Sequence, residues 1–461
     1  MSSRRRSIIF LVAAAAFLLK IWLAAATYGT NDVYGFHHFY EWSLYLGVGL
    51  YRADRYFNHP PSMIHVLRLV GWLSRATPVP FQFWFRLPSI LADTGSLSIV
   101  WKLLQPRTED NSVFWSLVLF AAAPASILIS GFHGNSDPIL VFFLLLTVYL
   151  TEKGSYILGG AAFGLAMSVK VVPIELIPAI FLYLPGRKRI RFFGPAAAVI
   201  LTTWSPFLFE DPAAIWHNVI GYRSQYGVWG LSFLAGQLAW LTPELEPCRA
   251  WFDAAFSEYG RYLALGLATV LAVWMNRPGR AGPRPRLFSQ VGITMFLFLS
   301  VSNGFGMQYL AWLLPWVTEL GLFPAALFYT TSGCFLFSVY NYWSQGVPRY
   351  VADSNQVGHY NGHADYVQLL CWSSVVTVLY VAWKRIADRM AARPAAPPLT
   401  RPVLALRCAG AILIASSLRA MTPPQQAGTP HPRENAADIS VIYAESDLQL
   451  LAIRAARSRI Q

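Results

Sequence analysis

Residues 8–27 read IIFLVAAAAFLLKIWLAAAT, with MSSRRRS in front of them. A helix of about 20 residues rises about 30 Å, the thickness of a bilayer's hydrocarbon core. One cation, Lys20, interrupts the run. A cleaved signal peptide is the competing reading of a basic N-terminus followed by an apolar segment. Its length favours a span, and bulky Tyr28 makes Ala-Thr-Tyr-Gly a poor cleavage site. The segment reads as an uncleaved helix whose N-terminus stays with Arg4, Arg5 and Arg6 on the cytoplasmic side.

The rest of the chain repeats this pattern. Hydrophobic residues make up 55% of the 461 and charged ones 13%, about half the charge of a soluble chain. Further spans are expected near 84–104, 113–130, 138–151, 155–168, 171–184, 192–208, 263–275, 287–303, 308–320, 322–340, 368–383 and 402–418. The total of about thirteen transmembrane helices predicts an all-α integral membrane protein. The net charge of +13 comes from basic clusters between apolar runs, such as Arg187–Arg191 and Arg277–Arg286. That is the positive-inside pattern and not a nucleic-acid face, so no nucleic-acid partner is expected. Cys248, Cys334, Cys371 and Cys408 lie far apart, without the spacing of a zinc site or a disulfide framework.

The basic loops assign the other segments to the outer side: 28–83, 131–137, 209–262, 303–308 and 341–367. They are rich in His, Asp, Tyr, Trp and Gly. The large first outer loop, 28–83, holds amphipathic stretches at Glu41–Tyr51 and Met63–Leu73 that read as outer-face interfacial helices. The run 231–242 reads as one more outer-face helix. Residues 1–418 form one transmembrane domain. Residues 419–461 form a polar tail with an amphipathic helix from about Ala436 to Ile460.

Chemistry is sought on the outer side. Asp32 follows the first span directly, where a carboxylate either caps a helix or acts as a general base open to water. His59 stands in Asn58-His59-Pro60-Pro61, which is either helix punctuation or a group reaching a phosphate or hydroxyl. Adjacent His37 and His38 point apart on a helix, which argues against a metal pair. The second outer loop carries His133, Asn135 and Asp137, and Asp137 stands where a helix cap would. Lys170 either snorkels to headgroups or faces an anionic substrate. Tyr222, Arg223, Gln308 and Tyr309 complete the candidate substrate-binding set. Lys20 lies about 10 Å below the outer end of the first span, and Asp93 roughly 14 Å below that of the second. These depths predict an ion pair.

In this order the motifs resemble those of the GT-C class of glycosyltransferases, and within it glycosyltransferase family 87 and related polyprenol-linked mannosyltransferases. The motifs are Asn31-Asp32, Asn58-His59-Pro60-Pro61, Arg86-Leu87-Pro88-Ser89, Gly134-Asn135-Ser136-Asp137-Pro138, Lys170 with Pro173, and Gln308-Tyr309 through Trp312 to Pro315. The resemblance covers roughly 8–385. It implies a GT-C-like bundle and transfer of a mannose-like hexose from a polyprenyl-phosphate donor to a glycan, lipid or protein acceptor, with inversion. It also implies a multi-pass protein of a bacterial inner membrane with its site facing the periplasm. Asp32 would be the catalytic base. Lys170, Arg223 and His59 would hold the phosphate charge, and His133 and Asp137 would line the cavity. Many members show paired acids where this chain has Asn31-Asp32, so a divalent cation is compatible with the pattern but not demanded by it. Two other classes compete: a lipid or lipid-linked sugar flippase, and a non-catalytic membrane assembly protein.

Overall fold

A computed structural model describes residues 2–54, 56–107, 109–278, 282–344 and 362–391. Among the described residues there are helices and turns, with no strand beyond one isolated bridge between Gln225 and Phe305. The protein is an all-α integral membrane protein. The segments Ser3–Ala26, Asn111–His133, Arg187–Glu210, Leu322–Trp343 and Tyr366–Ala391 are long and apolar enough to cross a bilayer, and shorter apolar helices lie between them. The expected span at 402–418 and the tail 419–461 fall outside the described residues.

The helices that position the site are α1 (Ser3–Ala26), α2 (Asn31–Leu46), α3 (Ser62–Ala76), α4 (Phe81–Leu104), α5 (Asp137–Glu152), α6 (Tyr156–Val169), α7 (Arg187–Glu210), α8 (Glu246–Met275) and α9 (Leu287–Val301). Glycine spacing lets backbones touch. A Cβ on Gly160 of α6 would lie 1.9 Å from the Phe192 carbonyl oxygen of α7, and one on Gly164 2.6 Å from that of Ala196. Small residues four apart are how membrane helices approach this closely.

Two apolar clusters form. The larger runs through the spanning helices, from Val100 and Leu117 to Phe296 and Leu336. The smaller one unites α2, α3 and the start of α4, through Phe36, Phe39, Ile64, Leu67 and Phe85, with Trp204 and Phe207 of α7. The first-loop segment is thus a folded subdomain. Helix α3 buries Met63, Ile64, Leu67 and Val70, while Leu69 and Trp72 on its other face are exposed. That is the division expected of an interfacial helix.

Two expected spans differ in detail. The stretch 113–130 breaks at Ala122, and Pro124 restarts it as a helix that widens into a π-turn at Leu128–His133. The stretch 308–320 is a run of short turns, Met307–Trp312, Leu314–Val317 and Thr318–Leu320. Nearly all of it is buried. Irregular backbone at membrane depth is tolerated when protein surrounds it.

The expected pairing of Lys20 and Asp93 is present. The Lys20 ammonium donates to Asp93 Oδ2 at 2.6 Å and to Ser126 Oγ at 2.9 Å. Ser130 also donates to Asp93 Oδ2, at 3.2 Å. Lys20 is 4% exposed, so removing one partner strands a buried charge, at about 3–5 kcal/mol. We therefore expect Lys20→Met to lower thermal stability more than the double variant Lys20→Met with Asp93→Leu. Additive losses in a melting series of purified protein would contradict the pairing.

Candidate functional site

The site is built around a buried cation. Arg86, on α4, is 0% exposed, and backbone carbonyls and one hydroxyl surround it. Its Nη2 donates to the carbonyls of Ala24 at 3.1 Å, Thr27 at 2.5 Å and Tyr28 at 3.2 Å. Its Nη1 donates to Thr27 Oγ1 at 3.0 Å and to the carbonyls of Gly131 at 3.1 Å and Phe132 at 3.2 Å. A helix C-terminus carries partial negative charge, so the end of α1 suits a guanidinium. One side chain thereby fixes the exit of α1 against the π-turn of the second loop.

The two loops are then joined directly. Thr30 Oγ1 donates to the His133 carbonyl at 2.8 Å, and Ser89 Oγ to the Asn135 carbonyl at 2.6 Å. Gly134 has φ +76°, and a Cβ there would lie 2.3 Å from a Val33 methyl. No other residue fits that conformation and that gap.

Thr30 is the N-cap of α2, accepting the Asp32 N–H at 3.3 Å. Asp32 is therefore free of capping duty, though the helix N-terminus still favours its charge. Asn135 Nδ2 donates to Asp32 Oδ2 at 2.7 Å, and His133 Nε2 bonds the same oxygen at 2.9 Å. Among the described residues nothing bonds Oδ1. Burial pushes this carboxyl upward. The charge and hydrogen bond of His133, the Asn135 amide and the charge of Lys170 outweigh it, so Asp32 is held below the ordinary carboxylate range.

Asp137 is fully buried at the start of α5 and makes no cap. Its carboxylate accepts Lys170 Nζ at 3.0 and 2.8 Å and the Trp312 indole N–H at 2.6 Å. Lys170, at the C-terminal end of α6, also stands over the rings of Tyr309 and Trp312, at 5.4 and 6.0 Å from their centroids. The ammonium is locked in place by a carboxylate and two aromatic faces.

Asp32 and Lys170 both open on a cavity of about 1700 Å³ including its mouth. His59, Asn135, Tyr222, Arg223, Gln308 and Tyr309 line it as well. Every residue of the expected set except His133 and Asp137 thus reaches one cavity. Those two are buried behind its wall, one holding Asp32 and the other holding Lys170. Their expected place on the lining is corrected accordingly.

The expected cations also change character. Burial, then the charge of Lys170, pushes the His59 imidazole down to about 3, so it is neutral. Arg223 pairs with Glu258 at 3.0 Å. Burial pushes the Tyr222 phenol up, leaving it an uncharged donor, and Tyr309 hydrogen-bonds Ser224. Sequence reading missed two lining residues. Arg261, on α8, has a buried Nε without a hydrogen-bond partner, and no described carboxylate pairs with it. Nothing in its helical context marks it out. Glu175 was visible as the lone acid within the apolar run 171–184, a kind of position that is functional by default. Among the described residues, no group of three or more His, Cys, Asp or Glu is placed to hold a metal ion.

Comparison with known proteins gives two likenesses. The sequence model of Glycosyltransferase family 87 matches residues 56–302, more than half of the chain. GPI mannosyltransferase 1 of Saccharomyces cerevisiae is 24% identical over 375 residues, spanning 71% of this chain and 84% of the yeast protein. Arg86, Asp137, Lys170, Glu175, Arg223 and Arg261 fall inside the family match, and Asp32 precedes it.

The depressed Asp32 carboxyl has a signed consequence. The group stays ionised down to its lowered folded value, and the stability its ionisation adds is lost only as pH falls through that value. In His133→Ala, burial acts with one fewer opposing group, so the titration should move to higher pH. An isotope-edited infrared titration of the carboxyl would show this. An unmoved or lowered midpoint would contradict the role given to His133.

Proposed function

Because the chain belongs to glycosyltransferase family 87, we propose that it transfers a mannose-like hexose from a polyprenyl-phosphate carrier to an acceptor hydroxyl, with inversion. The observation that carries the reading is Asp32 at the cavity wall. His133 and Asn135 hold one carboxylate oxygen and leave the other without a described partner. An acceptor hydroxyl gives its proton to that oxygen as its own oxygen attacks the anomeric carbon. The bond from that carbon to the phosphate oxygen breaks, and the pair leaves with polyprenyl phosphate. Phosphate is a good leaving group, so the demand is for charge stabilisation and not for a strong acid.

Arg261 supports that part, because it is a cavity cation with no described counter-charge. Arg223 assists from the same lining. Lys170 spends two of its three N–H groups on Asp137 and keeps one for the substrate. His133 and Asp137 are positioning residues. His59, Asn135, Tyr222, Gln308 and Tyr309 offer uncharged partners for sugar and acceptor hydroxyls. The yeast relative's name supports a mannose-like sugar. Neutral Lys20–Asp93 packing takes away the intramembrane charges that would favour a flippase. Charge distribution supports a cavity on the face opposite the cytoplasm, since Arg4–Arg6 and Arg187–Arg191 belong inside; in a bacterial inner membrane that is the periplasmic face. The carrier's isoprenoid tail would stay in lipid while its sugar enters the cavity.

Two variants test the assignment in single-turnover assays with a polyprenyl-phosphate hexose. Asp32→Asn should lower transfer by about 10²–10⁴-fold while donor binding persists. Arg261→Met should lower kcat by about tenfold or more, with a smaller rise in KM. Normal turnover in Asp32→Asn would move the base elsewhere. An Arg261→Met change confined to KM would make that residue a binding group only. Transbilayer flux without glycosidic cleavage would favour the transporter reading.

A further inference from the structure

Glu175 lies in the turn Val172–Leu176, between α6 and the helix Ile177–Tyr183. It is 7% exposed, yet it lines the cavity. Its Oε2 is buried without a hydrogen-bond partner, and no described residue makes an ion pair with its carboxyl. Among the described residues the other buried acids contrast with it: Asp54 accepts the Tyr56 N–H, Asp137 has Lys170 and Trp312, Asp211 has Arg52, and Glu319 has Arg107 and Ser289. Each of those is held by the protein, whereas among the described residues nothing hydrogen-bonds or ion-pairs the Glu175 carboxyl, and the residue lines the cavity.

A buried polar oxygen without a partner is rare and costly. In a cavity that takes a sugar, a ligand hydroxyl can meet it. The segment that carries Glu175 also carries Lys170, five residues before it, so both groups are fixed on one rigid piece of wall. Lys170 is anchored there by Asp137, Tyr309 and Trp312.

We propose that Glu175 is a specificity-determining residue that hydrogen-bonds one hydroxyl of a sugar ring in the cavity and rejects rings lacking it. The inference rests on the cavity being the transfer site. A site built around such a hydroxyl discriminates strongly, because a deoxy ring leaves the buried oxygen unpaired. No protonation state has to be assumed, since a carboxylate accepts from the hydroxyl and a carboxylic acid can also donate to it. The ring belongs either to the donor or to a glycan acceptor, and the two differ in which deoxy series is sensitive.

The test uses the full-length protein in lipid nanodiscs with polyprenyl-phosphate mannose and its 2-, 3-, 4- and 6-deoxy analogues. A parallel series uses alkyl mannosides, parent and monodeoxy, as acceptors. Wild type should show one position in one series at which kcat/KM falls by about tenfold to a hundredfold. Glu175→Leu should flatten that difference to within about threefold, with the parent substrate now as poor as the deoxy one. Glu175→Gln, nearly the same shape and still able to hydrogen-bond, should keep most of it and its thermal midpoint should match wild type. That variant keeps the test valid if Glu175→Leu fails to fold, because a Gln variant that discriminates differently at another position overturns the proposal. So does a Leu variant that folds and discriminates as wild type does. Absence of transfer by wild type from any donor would overturn the transferase reading instead, and this inference with it.

Discussion

Arg86 is the constraint on which the site depends. A guanidinium buried in a membrane protein must give its donors to something. Here they go to carbonyls of the α1 exit and the π-turn, together with the Thr27 hydroxyl. The helix end and the turn each have carbonyls that no regular helix would satisfy. One residue thus meets the needs of two loops and brings them together. Thr30, Ser89 and the left-handed Gly134 complete the seam. Asp32 and its two hydrogen-bonding partners stand on opposite sides of it, so their geometry is set by Arg86 although that side chain touches none of their functional atoms.

A second regularity concerns where charge is neutralised and where it is not. Within the protein wall, charges come in closed sets: Lys20 with Asp93, and Lys170 with Asp137. These hold helices together, and the Lys170 charge still acts on Asp32 and His59 across the cavity. Among the described residues the cavity lining keeps groups without a counter-charge or hydrogen-bond partner, namely one oxygen of Asp32, the Arg261 guanidinium and the Glu175 carboxyl. Such groups are costly to bury in a membrane protein, and a ligand in the cavity would complete them. The smaller apolar cluster of α2, α3 and the end of α7 lends Phe36 and Phe39 to the lining of this space, and the spanning core lends Phe298 and Trp312.

Much of this was legible in the sequence, for identifiable reasons. Span length and apolarity are local properties, so α1, α7 and their neighbours could be read directly. The Lys20–Asp93 pair followed from similar depths in consecutive helices. Asp32, His59, Lys170 and Tyr309 reach one cavity because loops leaving the same end of a bundle must converge. Partnership was not legible. Whether Lys170 faces a substrate or a carboxylate depends on which residue the fold sets opposite it, and Asp137 lies 33 residues away. For the same reason His133 and Asp137, attractive as lining residues, proved to stand behind the wall. The buried turns at 307–320 hid behind their apolarity, since hydropathy cannot tell a span from an irregular segment sheathed in protein. Arg261 sits on a helix among other charges, and what distinguishes it is that no described carboxylate pairs with it.

The central claim is that the cavity bounded by Asp32 and Arg261 receives a sugar whose phosphate carrier stays in the bilayer. Cryo-electron microscopy of the Asp32→Asn protein in nanodiscs with a polyprenyl-phosphate hexose tests it most directly. The account predicts sugar density in this cavity, its anomeric carbon on the side of residue 32, the phosphate against Arg261 and the isoprenoid leading out into lipid. A donor seated elsewhere, for example in the basic pocket lined by Arg189, Arg277 and Arg284, with this cavity empty, would contradict it.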